Sequence, residues 1–146
     1  MQAERIAGGV HRARTLMVNV YFVRDRTSGD WAVIDTGMPG YAGAIRRLAQ
    51  KLFGTRPRAI FLTHGHFDHV GGLPALADEW RVPVYAHELE LPYLTGASPY
   101  PHGFQSAIDN KSAIRSPRSA IRRSSLHLRL SHLLNPRFDV AGRPRA

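Results

Sequence analysis

An apolar run that leads directly into a cluster of metal-binding side chains constrains the fold of this 146-residue chain more than any other feature. Residues 59–63 are rich in strand-favouring side chains and are followed by Gly65, which predicts a buried strand that ends in a loop. The chain has no cysteine, so imidazole and carboxylate groups are the zinc ligands open to it. The loop therefore predicts a zinc centre built from His64, His66, Asp68 and His69.

The spacing of these four side chains predicts two ions rather than one. His64 and His66 are two residues apart, so in an extended chain they project to the same side and can bind one ion together. Asp68 and His69 are neighbours that diverge from that pair, which makes a second ion their natural recipient. Apolar residues then recur at roughly helical spacing as far as Trp80, and they predict a helix whose first turn holds the Asp-His pair.

The metallo-β-lactamase superfamily carries a His-x-His-x-Asp-His signature, and this chain resembles it at every position: His64, His66, Asp68 and His69. Residues 32–37 look like the family strand that ends in Asp-Thr-Gly, and residues 18–23 look like the strand before it. The resemblance covers about residues 5–100. It implies that the first two histidines bind one zinc ion and that the Asp and the third His bind the other.

The resemblance also implies a hydrolase. In the family, a water or hydroxide between two zinc ions attacks an electrophilic carbonyl or phosphoryl group, and metal binding lowers the pKa of that water to about 7. Asp68 is the residue that we expect to act in catalysis as well as in metal binding. The expected substrate is a small molecule with an ester, thioester or related bond.

Four positions near the cluster have two interpretations each. By the resemblance, Asp35 is a structural residue beside the site, but an Asp before Thr-Gly is also a common turn former. Asn19 has the same two interpretations, as a residue near the site or as one without a role there. Gly71 and Gly72 could let the backbone approach the metals closely, or could simply mark the junction between a loop and a helix.

The remaining apolar patterns predict an α/β fold with a mixed sheet. We expect strands over residues 18–24, 31–35 and 82–86, and an amphipathic helix over 42–53 that ends at Gly54. By the resemblance, this is the first half of the family's αββα sandwich.

Residues 105–146 differ sharply in composition from the preceding 104. They hold eight Arg and one Lys against two Asp, a net charge of +7, whereas residues 1–104 carry a net charge of +2. Seven Ser accompany these Arg residues, and no clear strand or helix pattern is present. We therefore divide the chain into a metallo-β-lactamase-like domain at residues 1–104 and a poorly ordered Arg/Ser-rich tail at 105–146.

Three explanations for this tail are open. Clustered Arg neutralises phosphates, so the tail could be a nucleic-acid arm, which is the least favoured partner. It could be a disordered extension, or the product of a frame change near residues 101–105. We favour the frame change, because abundant Arg, Ser, Pro and Ala without patterning is typical of GC-rich DNA read out of frame. A Gly-His, Asp or His motif in another frame past codon 101 is expected, and its absence would defeat this hypothesis.

The ligands that should complete the site are not recognisable in the sequence. The family supplies a later His, a bridging Asp and a final His, whereas no His follows Asp139 here. His127 and His132 are five residues apart and point in different directions on a helix, and His87 resembles a family segment outside the metal shell. We therefore expect weak binding of the second zinc, and a truncated, non-catalytic metal-binding fragment is the alternative function.

Composition and packing lead to the remaining expectations. No secretory signal and no apolar run near the ~18 residues of a membrane span are visible, which favours the cytoplasm and no membrane partner. A half-sandwich leaves one apolar sheet face without its cover. Self-association through that face is therefore expected.

Overall fold

A mixed sheet organises the structure, a computed structural model that describes residues 1–99 and the backbone of residues 121–123. The sheet has seven strands in sequence order. Strands β1 to β4 pair antiparallel and β4 to β7 pair parallel. The strands are β1 Ala3–Ala7, β2 Val10–Thr15, β3 Val18–Arg24, β4 Trp31–Ile34, β5 Ala59–Leu62, β6 Val84–Ala86 and β7 Ile121–Arg123.

The helices follow the parallel strands, as expected for an α/β fold. They are α1 Ala42–Phe53, α2 Phe67–Val70, α3 Leu73–Trp80 and α4 Leu91–Leu94, with a 3₁₀ turn at Glu88–Glu90. The predicted helix over 42–53 is confirmed at both ends, and Gly54 ends it in the left-handed region with φ of +70°. No helix among the described residues is both long and apolar enough to cross a bilayer.

The prediction of one helix from the metal loop to Trp80 is wrong, because the structure has α2 and α3 instead. Pro74 lacks the N–H that would donate to the carbonyl of Val70 in a continuous helix. Gly71 and Gly72 lie between the two helices. A Cβ on Gly71 would lie 2.2 Å from the Pro39 nitrogen, so this junction packs directly against the loop that follows β4.

Strands β1 and β2 were not predicted from the sequence, because their apolar content is low. Strand β2 alternates buried Ala13 and Thr15 with exposed Arg14, so only one of its faces contributes to the core. The smaller differences are at strand ends: β4 and β5 each end one residue earlier than predicted, and β6 begins after Pro83.

One face of the sheet packs against α1 and α3 and forms the main core. Trp31 stacks on Phe53 with ring centroids 4.5 Å apart and meets Trp80 edge-on at 6.0 Å. The other members of this core are aliphatic or small aromatic side chains, including Val20, Phe22, Val33, Ile45, Leu48, Ile60, Leu62 and Leu76. This packing fixes the positions of β4 and β5, whose carboxyl ends carry the candidate site.

The opposite face carries a smaller apolar cluster. Ala32, Ala59 and Phe61 are at most 4% exposed, and Ile34 and Tyr85 pack beside them. Because these three residues are already buried in the single chain, any self-association would have to use other parts of the face, and it stays a prediction. Of the segment 105–146, the structure describes only the backbone of β7, which pairs with β6. The predicted disorder or frame change lies otherwise outside the described residues.

Candidate metal centre

The candidate site lies where two neighbouring parallel strands end. Strands β4 and β5 pair with Ile34 opposite Phe61, so the residues after each strand emerge at the same edge of the sheet. The loop after β5 carries the predicted ligands and leads into α2. The loop after β4 begins with Asp35, which is 3% exposed.

Three of the four predicted ligands form a compact group of imidazoles. The ring centroid of His64 lies 4.6 Å from that of His66 and 4.1 Å from that of His69. Asp68 lies at the rim, with Oδ2 3.9 Å from His69 Nε2. The His64 ring therefore contacts both other rings, whereas the spacing argument separated His69 from the first pair.

The chemistry of this group fits a metal ion. Burial first, and then the charges of His69 and His66, lower the pKa of His64, so its ring is neutral near pH 7. A metal ion requires that neutral form, because it binds the nitrogen lone pair. Among the described residues, no three His, Asp or Glu side chains stand in a finished ligand arrangement. The His64 ring instead contacts the rings of His66 and His69.

Asp35 and Thr36 fix His69 from two sides. Asp35 Oδ2 lies 2.8 Å from His69 Nδ1, and the N–H of Thr36 donates to the His69 carbonyl at 2.7 Å. The Thr36 hydroxyl donates to the same carbonyl at 3.0 Å. Because a carboxylate only accepts, Nδ1 carries the ring proton and Nε2 keeps its lone pair for a metal. Asp35 is thus both a backbone outlier, with φ of +60°, and a structural partner of the site.

Thr63 extends this network to His64. Its N–H and hydroxyl donate to Asp35 at 2.8 and 2.7 Å. Its hydroxyl oxygen lies 3.0 Å from His64 Nδ1 and therefore accepts the proton of that nitrogen. One buried carboxylate thus orients His69 directly and His64 through a threonine. Sequence reasoning treated Thr63 only as a strand end, although a hydroxyl next to a histidine cluster is a usable signal.

A second carboxylate reaches the loop from the far side. Glu90 Oε2 accepts a hydrogen bond from the N–H of Gly65 at 3.0 Å. Glu90 ends the 3₁₀ turn whose first N–H groups are capped by His87, because His87 Nδ1 accepts from the Leu89 N–H at 3.2 Å. His87 therefore serves as a cap and lies outside the imidazole group.

The two glycines after the site approach protein backbone closely. A Cβ on Gly72 would lie 2.5 Å from the Thr36 carbonyl oxygen, and one on Gly71 would meet Pro39. Their close approach is therefore to the loop after β4. Asn19 lines a surface cleft of about 530 Å³ with Arg12, Arg14 and Met17, and both interpretations of Asn19 stay open.

An exposed apolar hairpin tip lies at the same edge of the sheet. Leu16 and Met17 are 61% and 63% exposed between β2 and β3. Strand β3 runs antiparallel to β4, so its start lies beside the loop that follows β4. The Met38 N–H donates to Thr15 Oγ1 at 3.2 Å and ties the tip to that loop.

Sequence comparison places these features in a known group of proteins. The sequence profile described as the Metallo-beta-lactamase superfamily matches residues 13–137, which extends past the compositional boundary at residue 104. Probable metallo-hydrolase YflN from Bacillus subtilis is 44% identical over 98 residues, or 65% of this chain and 37% of that protein. Probable metallo-hydrolase YybB from the same organism is 33% identical over 119 residues, or 82% of this chain and 51% of that protein.

Solved structures give the same result for the fold. BJP-1, a subclass B3 metallo-beta-lactamase of Bradyrhizobium japonicum, has a TM-score of 0.61 and 24% identity, and the match covers 85% of this chain and 43% of that one. A HARLDQ-motif mutant of a metallo-beta-lactamase from Cronobacter sakazakii has a TM-score of 0.54 and 28% identity, and the match covers 62% of this chain and 36% of that one. The chain spans between about a third and a half of the length of these relatives and structures.

Proposed function

Because the chain belongs to the metallo-beta-lactamase superfamily, we propose that it is a zinc-dependent hydrolase of small molecules with an ester, thioester or related bond. The single observation that carries the proposal is the convergence of His64, His66 and His69 beside the buried carboxylate of Asp35. A cluster of imidazoles in which His64 and His69 each have a hydrogen-bond partner at Nδ1 is suited to hold a metal ion.

The residues of the loop would serve both in metal binding and in catalysis. His64 and His66 would hold one ion, and Asp68 and His69 would hold the other. Bound zinc supplies a water whose pKa is about 7 and a positive charge that polarises the scissile carbonyl. Asp68 faces the imidazole group from the rim, so its carboxylate can accept a proton there. Asp35 and Thr63 accept from Nδ1 of His69 and of His64, so Nε2 of each ring would be the nitrogen available to an ion.

The hairpin tip would contact the substrate. Leu16 and Met17 present exposed apolar surface at the edge of the sheet that carries the site. Ligand sites are mostly apolar with a few polar groups that fix orientation. The tip therefore favours a substrate that has an apolar part next to its hydrolysable bond. A cytoplasmic location stays a prediction.

A non-catalytic metal-binding protein is the second candidate function. The observation that favours it is the lack of a finished ligand arrangement among the described residues. Later ligands of the kind that the resemblance implies are also not recognised in the sequence. A site with one well-held ion and no turnover would fit this candidate.

Zinc stoichiometry together with turnover tests the proposal. The full chain is loaded with zinc and desalted, and its zinc content is measured by mass spectrometry alongside hydrolysis of a generic thioester and a nitrophenyl ester. We expect at least one ion per chain and turnover, both lost in the H64A/H66A double variant. One ion without turnover would favour the second candidate, and a chain without zinc or turnover would reject both.

A further inference from the structure

We propose that Glu90 is a positioning residue for the metal centre and that it holds the backbone between His64 and His66. This inference rests on the metal centre of the proposed function and adds a residue outside the predicted ligand set. Its basis is the hydrogen bond from the Gly65 N–H to Glu90 Oε2.

The peptide group that Glu90 holds joins His64 to Gly65. Rotation of this group would move the side chain before it and the side chain after it, so this hydrogen bond is placed to act on both imidazoles of the His-x-His pair. Gly65 is buried, which limits the access of water to its N–H. A hydrogen bond to a carboxylate is also roughly twice as strong as one between neutral groups.

Parallel pairing of β5 and β6 places Glu90 beside the metal loop. Strands β5 and β6 pair with Leu62 opposite Ala86, so the segments that leave them run side by side. His87 then fixes the turn: its ring accepts from the Leu89 N–H, and its carbonyl accepts from the Glu90 N–H at 3.0 Å. The turn places Glu90 against the loop, although 25 residues separate it from Gly65 in the sequence.

Glu88 is a matched control within the same turn. It carries the same charge two residues earlier and is exposed. Within residues 1–99, the structure has no hydrogen bond between Glu88 and the metal loop. A negative charge elsewhere on the turn is tested by E88A, because Glu88 makes no hydrogen bond to the loop within the described residues. The Glu90 charge also acts directly on His64, so the uncharged variant E90Q is needed beside E88A to separate charge from positioning.

The test uses the full chain with the variants E90A, E90Q, E90D and E88A. Two quantities are measured: the zinc Kd by competition with a chromophoric chelator, and the Gly65 amide resonance in the metal-free protein. We expect E90A to weaken zinc binding by about 10- to 100-fold, the range typical of residues that orient metal ligands. The Gly65 amide proton should shift upfield in E90A, and E88A should match the wild type in both measurements.

The conservative variants separate the effect of side-chain length at position 90 from the effect of its charge. The E90Q side chain would keep an acceptor oxygen at the same distance, so E90Q should bind zinc more tightly than E90D, whose carboxylate is withdrawn by one methylene. This order decides the question if E90A does not fold. The reverse order, an E90A affinity within about twofold of wild type, or an equal loss in E88A would overturn the inference.

The failure of this inference and that of the proposed function give different results. A wild-type chain that binds no zinc overturns both. A wild-type chain that binds zinc, with an E90A variant that binds it equally well, overturns the role of Glu90 alone. Zinc binding that depends on Glu90 without any turnover supports this inference while the hydrolase proposal fails.

Discussion

Two loops leave the sheet at the same edge, and they contribute different things to the candidate site. The loop after β5 carries the four predicted ligands, whose side chains are partly accessible. The loop after β4 carries no predicted ligand, but Asp35 and Thr36 are almost fully buried and hold His69 by its ring and by its backbone. The predicted ligands therefore lie in one loop, and the residues that orient His69 lie in the other.

The strongest loss of zinc binding should come from a change in the ligand loop itself. H66A removes an imidazole from the cluster and should weaken zinc binding by more than the 10- to 100-fold that is typical of orienting residues. Competition with a chelator measures the change. A smaller loss in H66A than in a variant of the β4 loop would contradict the division between the two loops.

Replacing the orienting carboxylate should give the next strongest loss. D35A removes the partner of His69 and of Thr63, so zinc affinity should fall by about 10- to 100-fold. The thermal stability should also fall, because each buried donor left without a partner costs about 1–3 kcal/mol.

Asp25 offers a control for this experiment at the opposite edge of the sheet. It is 7% exposed and accepts hydrogen bonds from the backbone of Thr27 and Ser28. D25A should lower the melting temperature without changing the zinc Kd. If D25A and D35A weaken zinc binding equally, the effect of Asp35 is general stability and the assigned role is wrong.

The contact between the two loops should be sensitive to size at Gly71. G71A places a methyl group against Pro39, and overpacking of this kind costs about 1–3 kcal/mol of unfolding free energy. The control is G43A in α1, where the nearest atom to a new Cβ is a side-chain nitrogen of Arg47 at 3.5 Å. G43A should be neutral or stabilising by up to about 1 kcal/mol. Urea unfolding of both variants measures the difference, and equal effects would contradict the close approach.

The mildest change concerns the link between the loops at Thr63. T63V removes the hydroxyl that joins Asp35 to His64, and a single hydrogen bond is worth about 0.5–1.5 kcal/mol. Zinc affinity should therefore fall by roughly 2- to 10-fold. T63S keeps the hydroxyl and should bind zinc as the wild type does. A T63S variant as weak as T63V would show that the methyl group, and not the hydroxyl, matters.

The sequence predicts the ligand loop well because its signals are local. The apolar run, Gly65 and the histidines lie within a dozen residues, and the amphipathic pattern of α1 is equally local. The orienting residues depend on the fold, since Asp35 lies 28 residues before Thr63 and 34 before His69. No periodicity connects such positions, so the resemblance gave Asp35 only a general structural role.

The missed features have the same origin. Glu90 reaches Gly65 only because β5 and β6 are parallel neighbours, which composition does not encode. The break between α2 and α3 was visible as Pro74, but the apolar spacing across it favoured a continuous helix. Strand β2 was missed because its polar face masks the alternation of Ala13 and Thr15.

X-ray absorption spectroscopy of the full chain loaded with one equivalent of zinc is the direct test of a metal centre in the loop after β5. We expect a zinc shell that contains at least two imidazole nitrogens at about 2.0–2.1 Å, and the loss of that signal in the H64A/H66A variant. A shell without imidazole, or one unchanged in the double variant, would contradict a metal centre in this loop.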